Sequence, residues 1–155
     1  MIDIPKTTSE MLAKNLGVTM RQLQWWDERG VVMPSHVDHC RWYSPHQAAE
    51  VAAIAALRRS GLSLQMIRRS LTRLRLDIVA EMPALAEGRE LYIVVSRNGR
   101  RLLCTRDLYQ AGEFAAETAQ LVTVARIGVG LCSAWFGARD GIVRRKLHDR
   151  ANDQV

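Results

Sequence analysis

Residues 19–43 gather the side chains of this chain best suited to touching phosphates and base edges. Arg21 can pair with guanine or phosphate, and Gln22 and Gln24 can read adenine. Thr19 adds a hydroxyl beside the free N–H groups of a helix start, where a phosphate is stabilised. Trp25 supplies a flat apolar ring able to pack on sugar. Further on, His39, Arg41, Trp42 and Tyr43 set a cation among aromatics, a mixture suited to phosphate and sugar contact. Each of these has a plainer reading. Polar residues on a short helix can simply be solvated, and Trp42 or Tyr43 can close a core. At least one of those two aromatics is expected inside, with Arg41 facing the nucleic acid.

The elements that must hold these groups can be read from caps and periodicity. Thr7-Thr8-Ser9-Glu10 has the form of a capping box, with Thr7 as cap and Glu10 reaching back. Met11, Leu12 and Leu16 give the helix that follows its buried stripe, and Asn15 and Gly17 end it. Val18 anchors the turn. Thr19 then caps a second helix, with Gln22 at the reciprocal position. Two short helices joined by a glycine-containing turn form a helix-turn-helix. Leu23 and Trp26 share one face and are assigned to the core, with Met20 beside them. Arg21, Gln22, Gln24 and Trp25 are left facing outward, and Gly30 stops the helix.

A small two-stranded wing is expected next. Val31-Val32-Met33 and Arg41-Trp42-Tyr43 are its β-prone runs, with turn residues at Pro34-Ser35 and Asp38-His39. Ser44-Pro45-His46-Gln47 then combines a Ser cap, Pro at the first helical position and Gln to complete the box. Ala48, Val51, Ala52, Ile54 and Ala55 give that helix a small-residue face, and Gly61 ends it. Ser63 caps the next helix, where Leu64, Ile67, Leu71 and Leu74 recur at helical spacing. Arg68, Arg69, Arg73 and Arg75 decorate its outside, either as a solvated face or, for Arg68 and Arg69 above all, as phosphate contacts flanking the reading helix.

Beyond this point the pattern changes. Pro83 and Gly88 are expected to interrupt any helix after about Ala80, and no heptads continue. Residues 91–96 and 101–105 are β-prone and flank Arg97-Asn98-Gly99-Arg100, a hairpin signal. Asp107 can cap a helix to about Ala119, and residues 121–125 read as a third strand. The unit is β-β-α-β. In the tail, Leu131, Trp135, Ala138 and Ile142 fall at helical spacing and are followed by Arg144-Arg145-Lys146. A terminal helix docked on the small α+β unit is the expectation there.

Bulk properties limit the function classes. With 48% hydrophobic and 25% charged residues the chain is globular rather than disordered. The formal net charge of +6 favours an acidic partner. Residues 1–76 carry 11 Lys/Arg against 6 Asp/Glu, so most of the excess lies in the half that holds the opening stretch. Three cysteines without close spacing form no disulfide framework. His36, His39, Cys40 and His46 lie close enough in sequence to raise zinc or copper. No Cys-x-x-Cys pair accompanies them, so they are read as polar wing residues, and neither metal nor cofactor is expected. No paired carboxylates, Gly-rich phosphate loop or Ser/His/Asp arrangement points to an enzyme. The first residues lack a charged segment leading into an apolar run, and the longest nearly apolar stretch is too short to span a bilayer. The expectation is a soluble cytoplasmic protein, on the nucleoid and without a membrane partner.

These motifs carry a resemblance. Leu16-Gly17-Val18-Thr19-Met20-Arg21-Gln22-Leu23-Gln24-Trp25-Trp26-Asp27-Glu28-Arg29-Gly30-Val31, then Arg41-Trp42-Tyr43-Ser44, then Leu57-Arg58-Arg59-Ser60-Gly61-Leu62-Ser63-Leu64 resemble the signature of MerR-family winged helix-turn-helix regulators over about residues 7–75. Gln24 stands where that family usually has Arg, and Trp25-Trp26 replace two tyrosines. The resemblance implies a sequence-specific transcriptional regulator on double-stranded DNA. It also implies DNA-contacting roles for Thr19, Arg21, Arg41 and Tyr43, a homodimer on a palindromic site, and RNA polymerase as a further partner. The fold class expected is a mostly α winged helix-turn-helix domain (1–76) followed by a small α+β domain (77–130) and a tail (131–155). An architectural DNA-bending factor, excisionase-like or of plasmid maintenance, and a protein-interaction module tethered to DNA are the other readings. The effector, the operator, and activation versus repression are not encoded in these motifs.

Overall fold

A computed structural model describes residues 6–118, 122–128 and 131–136. Its elements are β1 (Thr7–Thr8), α1 (Ser9–Leu16), α2 (Met20–Glu28), β2 (Ser35–Val37), β3 (Cys40–Tyr43), α3 (Pro45–Arg59), α4 (Leu64–Ala86), β4 (Leu91–Ser96), β5 (Leu102–Thr105), α5 (Leu108–Thr118), β6 (Val122–Ile127) and α6 (Leu131–Phe136).

Capping sets most helix starts. Thr19 accepts a hydrogen bond from Gln22 N while Gln22 reaches back to the Thr19 N–H, and Ser44 and Gln47 repeat the same box before α3. Ser63 caps α4 through Met66 N. At α1 the cap is Thr8, not Thr7, and its side chain accepts from Met11 N. Thr7 and Thr8 together form β1, opposite Tyr43 and Trp42 of β3. Gly17 ends α1 at φ 67°, a left-handed turn that a Cβ would disfavour. Leu12, Leu16, Val18, Leu23 and Trp26 are all buried, but Met20 is 49% exposed and stays out of the core.

The wing is built one step later in the chain than the β-propensity of Val31–Met33 implies. Val31 and Val32 are buried anchors after α2, and the outer strand is β2. β2 and β3 pair antiparallel, with His36 opposite Arg41. Asp38 and His39 turn between them, both at positive φ (51° and 63°), a conformation that Asp and His tolerate better than most residues. β1 completes a three-stranded sheet in the order β1-β3-β2.

Helix α3 lies at the centre. Every residue from Ala48 to Leu57 is buried, so the helix has no solvent face over these residues. It packs against α1 and β3 of the first half, and against α4, β6 and α6. Its alanines allow neighbours to approach closely. Helix α4 runs through Pro83 to Ala86, beyond the interruption expected near Ala80. Proline removes one backbone bond, to Val79 O, on a stretch of α4 where Val79 itself is 53% exposed.

The last three strands form a second antiparallel sheet, in the order β5-β4-β6. Val95 faces Leu102 across the hairpin, and Ile93 lies between Cys104 and Ala125. Leu91, Ile93 and Val95, with Ala125 and Ile127, join the same hydrophobic core as the helices of the first half. Val94 alternates to the opposite side of β4 and is buried as well, and α5 packs on β4 and β5. The β-β-α-β order is as read, but α6 does not dock where expected. It packs on α1 and α3, with Leu131 and Trp135 buried and Trp135 Nε1 donating to Pro45 O at 3.2 Å. Ala138, Ile142 and Arg144-Arg145-Lys146 lie outside the described residues. No helix among the described residues is long and apolar enough to cross a membrane.

Candidate nucleic-acid interface

The chemistry of α2 divides by face. Leu23 and Trp26 are 1% and 2% exposed and fix the helix to the core. On the other side Thr19, Arg21, Gln22, Gln24, Trp25 and Glu28 line a shallow groove of ≈ 510 Å³. Within it the side chains differ in how free they are. Thr19 Oγ1 accepts from Gln22 N at 3.0 Å, and Gln22 Oε1 accepts from Thr19 N at 2.9 Å. Their oxygens are therefore occupied in building the helix start, and the Gln22 amide N–H groups remain to face outward. Gln24 Nε2 donates to Glu28 Oε1 at 2.9 Å. Trp25 is 42% exposed, and the Arg29 guanidinium lies 5.2 Å from its ring centroid, a cation–π contact that restrains the ring. Arg21 is exposed and is not drawn into any such contact among the described residues.

Asp27, at the edge of this face, is the functional residue that sequence reasoning missed. Its Oδ2 accepts from Arg41 Nε at 2.7 Å and lies 2.8 Å from His36 Nε2. One carboxylate thus ties both strands of the wing to α2 and sets the angle between them. Residues 19–43 hold three acids, Asp27, Glu28 and Asp38, and nothing in their spacing singles out Asp27. Arg41 consequently turns its Nε inward, and its side chain is only 28% exposed. His39 is exposed at the wing turn, and Trp42 is half-buried. Tyr43 is fully buried, which removes its side chain from the surface contacts assigned to it. Burial pushes its phenol above the ordinary value, with the Ser9 hydroxyl beside it opposing the shift.

The arginines of α3 and α4 are used in a way neither reading of that basic run foresaw. Arg59 Nη1 donates to Leu16 O at 3.0 Å, at the end of α1. Arg68 donates to Arg29 O at the end of α2, and Arg75 donates to Val31 O just beyond it. Helix C-termini leave carbonyls without intrahelical partners and carry partial negative charge, and these guanidinium groups supply both a donor and a cation. Arg75 also lies 3.6 Å from Glu50 Oε2. Burial pushes the Glu50 carboxyl above its ordinary range, and Arg75 opposes the shift. Arg69 donates to Asn98 O at 3.1 Å, in the turn between β4 and β5.

The structure therefore brings Thr19, Arg21, Gln22, Gln24 and Trp25 together on one face, with His39, Arg41 and Trp42 on the adjoining wing. Arg68 sits at the C-terminal end of α2, and Arg69 one residue further along α4. Among the described residues no three His, Cys, Asp or Glu side chains converge to hold a metal ion. Residues 7–74 match a family model described as MerR HTH family regulatory protein. The match covers less than half of the chain and ends within α4, before the second sheet begins. No curated protein matches the chain.

Proposed function

From the MerR-type helix-turn-helix over residues 7–74, we propose that the protein is a sequence-specific, DNA-binding transcriptional regulator. The observation that carries the proposal is the α2 face itself. A doubly capped helix is bolted to the core by Leu23 and Trp26, clamped to its wing by Asp27, and left uncovered on the side that bears Arg21, Gln22, Gln24 and Trp25. Pre-organised donors on a fixed element are what base-edge recognition requires.

In this reading α2 enters the major groove from its N-terminal end. Arg21 reads a guanine edge, the Gln22 amide donates to a base or phosphate, and Trp25 packs on sugar. The wing lies on the backbone, with His39 and the outer nitrogens of Arg41 towards phosphate. Residues 1–76 make the DNA-binding unit, and 77–130 serve control or pairing. The functional form is a homodimer on a palindromic promoter site, acting on RNA polymerase through distortion of the DNA. Selecting bound sites from random duplexes and measuring the stoichiometry of the complex tests this. A palindrome holding two chains is expected, whereas a lone half-site with one chain points to an architectural factor instead.

A further inference from the structure

Outside the matched segment, the β4–β5 turn is pressed onto α4. Gly99 sits at φ 73°, and a Cβ there would lie 2.3 Å from Met66 O, so turn backbone and helix backbone are in direct contact. Ser70 Oγ donates to Gly99 O at 2.5 Å, and Arg69 Nη1 to Asn98 O at 3.1 Å. The turn is thus tied to the helix by two hydrogen bonds and a close backbone approach.

This docking joins two basic sets. Arg69 and Arg73 from α4 and Arg100 and Arg101 from the hairpin line one concavity of ≈ 340 Å³, with Phe114 at its side. The Arg101 guanidinium lies 5.3 Å from the Phe114 ring centroid. No carboxylate is among the described residues lining the concavity. Arg73 Nε pairs with Asp77 at 3.2 Å, and Arg69, Arg100 and Arg101 have no carboxylate partner among the described residues. Four guanidinium groups held together repel one another unless an anion lies among them.

We propose that this concavity holds the phosphodiester backbone of DNA beside the stretch read by α2, an inference that rests on the DNA-binding reading above. Two observations select a polyanion rather than a small anion. All four arginines are exposed, so a single phosphate among them is screened and weakly held. A DNA strand presents several phosphates at once and releases counterions as it binds. Helix α4 also links the cluster to the reading helix, since Arg68, next to Arg69 in the chain, donates to Arg29 O at the end of α2. The hairpin thus extends the protein's footprint along the duplex without reading sequence.

The test is the salt dependence of binding to a selected duplex, for the wild type and for Arg100→Gln/Arg101→Gln. Arg100→Glu is the second variant, because the Arg100 side chain is exposed and has no partner among the described residues, so its replacement is expected to spare the fold. The log–log slope is expected to shrink by about 1.8 in the double variant, at ~0.9 per phosphate contact. The loss should be equal on selected and random duplexes, and should vanish on a duplex trimmed to the bases under α2 and the wing. An unchanged slope overturns the inference. So does saturable binding of inorganic phosphate or a mononucleotide at these arginines with the slope unaffected, which would make this a small-anion site. Wild-type protein that binds no duplex sinks the DNA reading itself, whereas normal wild-type binding with unaltered slopes in the variants sinks this inference alone.

Discussion

Helices α2 and α3 start with the same device and end in opposite environments. Each has a hydroxyl cap and a Gln three residues on, closing the same pair of hydrogen bonds. Yet in α2 only Leu23 and Trp26 are buried, while α3 is enclosed from Ala48 to Leu57. Local chemistry therefore makes the helix, and tertiary placement decides whether it reads or supports. The same holds for cations. Arg59, Arg68 and Arg75 are drawn to backbone carbonyls at helix ends, while Arg21 is left outward with the same guanidinium chemistry.

The two tryptophans of α2 test this contrast with the largest effect. Trp26→Ala empties a buried site and is expected to cost about 3–5 kcal/mol of stability in urea unfolding. Trp25→Ala should change stability by no more than about 0.5 kcal/mol but weaken DNA binding. The reverse order would mean that the faces of α2 are misassigned. In α3, Ala53→Leu should overpack an enclosed position and cost about 1–3 kcal/mol, whereas Met20→Leu at the exposed start of α2 should cost almost nothing, again by urea unfolding.

Glu50 gives a smaller effect, readable against pH. Burial raises its pKa in the fold, so its favourable contribution is complete below the unfolded-state value and is lost as pH rises through the folded one. Thermal unfolding of Glu50→Gln should therefore show a flatter decline than the wild type from acidic to neutral pH. A steeper decline would show that Arg75 outweighs burial. Last, the Cys104 thiol is pushed up to about 12 by burial and by the neighbouring Asp77, while Cys40 is exposed on the wing. Alkylation of the native protein at neutral pH should label Cys40 and spare Cys104. Equal labelling would show that the second sheet opens readily.

What could be read from the residues alone was local. The caps at Thr19, Ser44 and Ser63, the Gly17 turn, the core face of α2 and the 97–100 hairpin turn each depend on residues within a few positions of one another. The shift of the first cap from Thr7 to Thr8 goes with a long-range event, the pairing of both residues with Tyr43 and Trp42 of β3. Long range also explains the rest. The Asp27 clamp reaches 14 residues to Arg41, Arg59 reaches 43 to Leu16 O, and Trp135 reaches 90 to Pro45 O. No periodicity encodes such partners. Arginines on a helix look solvated or phosphate-directed until the carbonyls they meet are known, and the burial of Tyr43 was visible only as one of two options.

The claim on which the account stands is that the outward face of α2 reads bases. Its most direct test is the affinity of wild type and Arg21→Ala for a selected site and for random duplex at one salt concentration. The account predicts a loss of about 1–3 kcal/mol on the selected site, with a much smaller loss on random DNA. Equal losses on both would contradict it, making Arg21 a phosphate contact and leaving α2 without its principal reader.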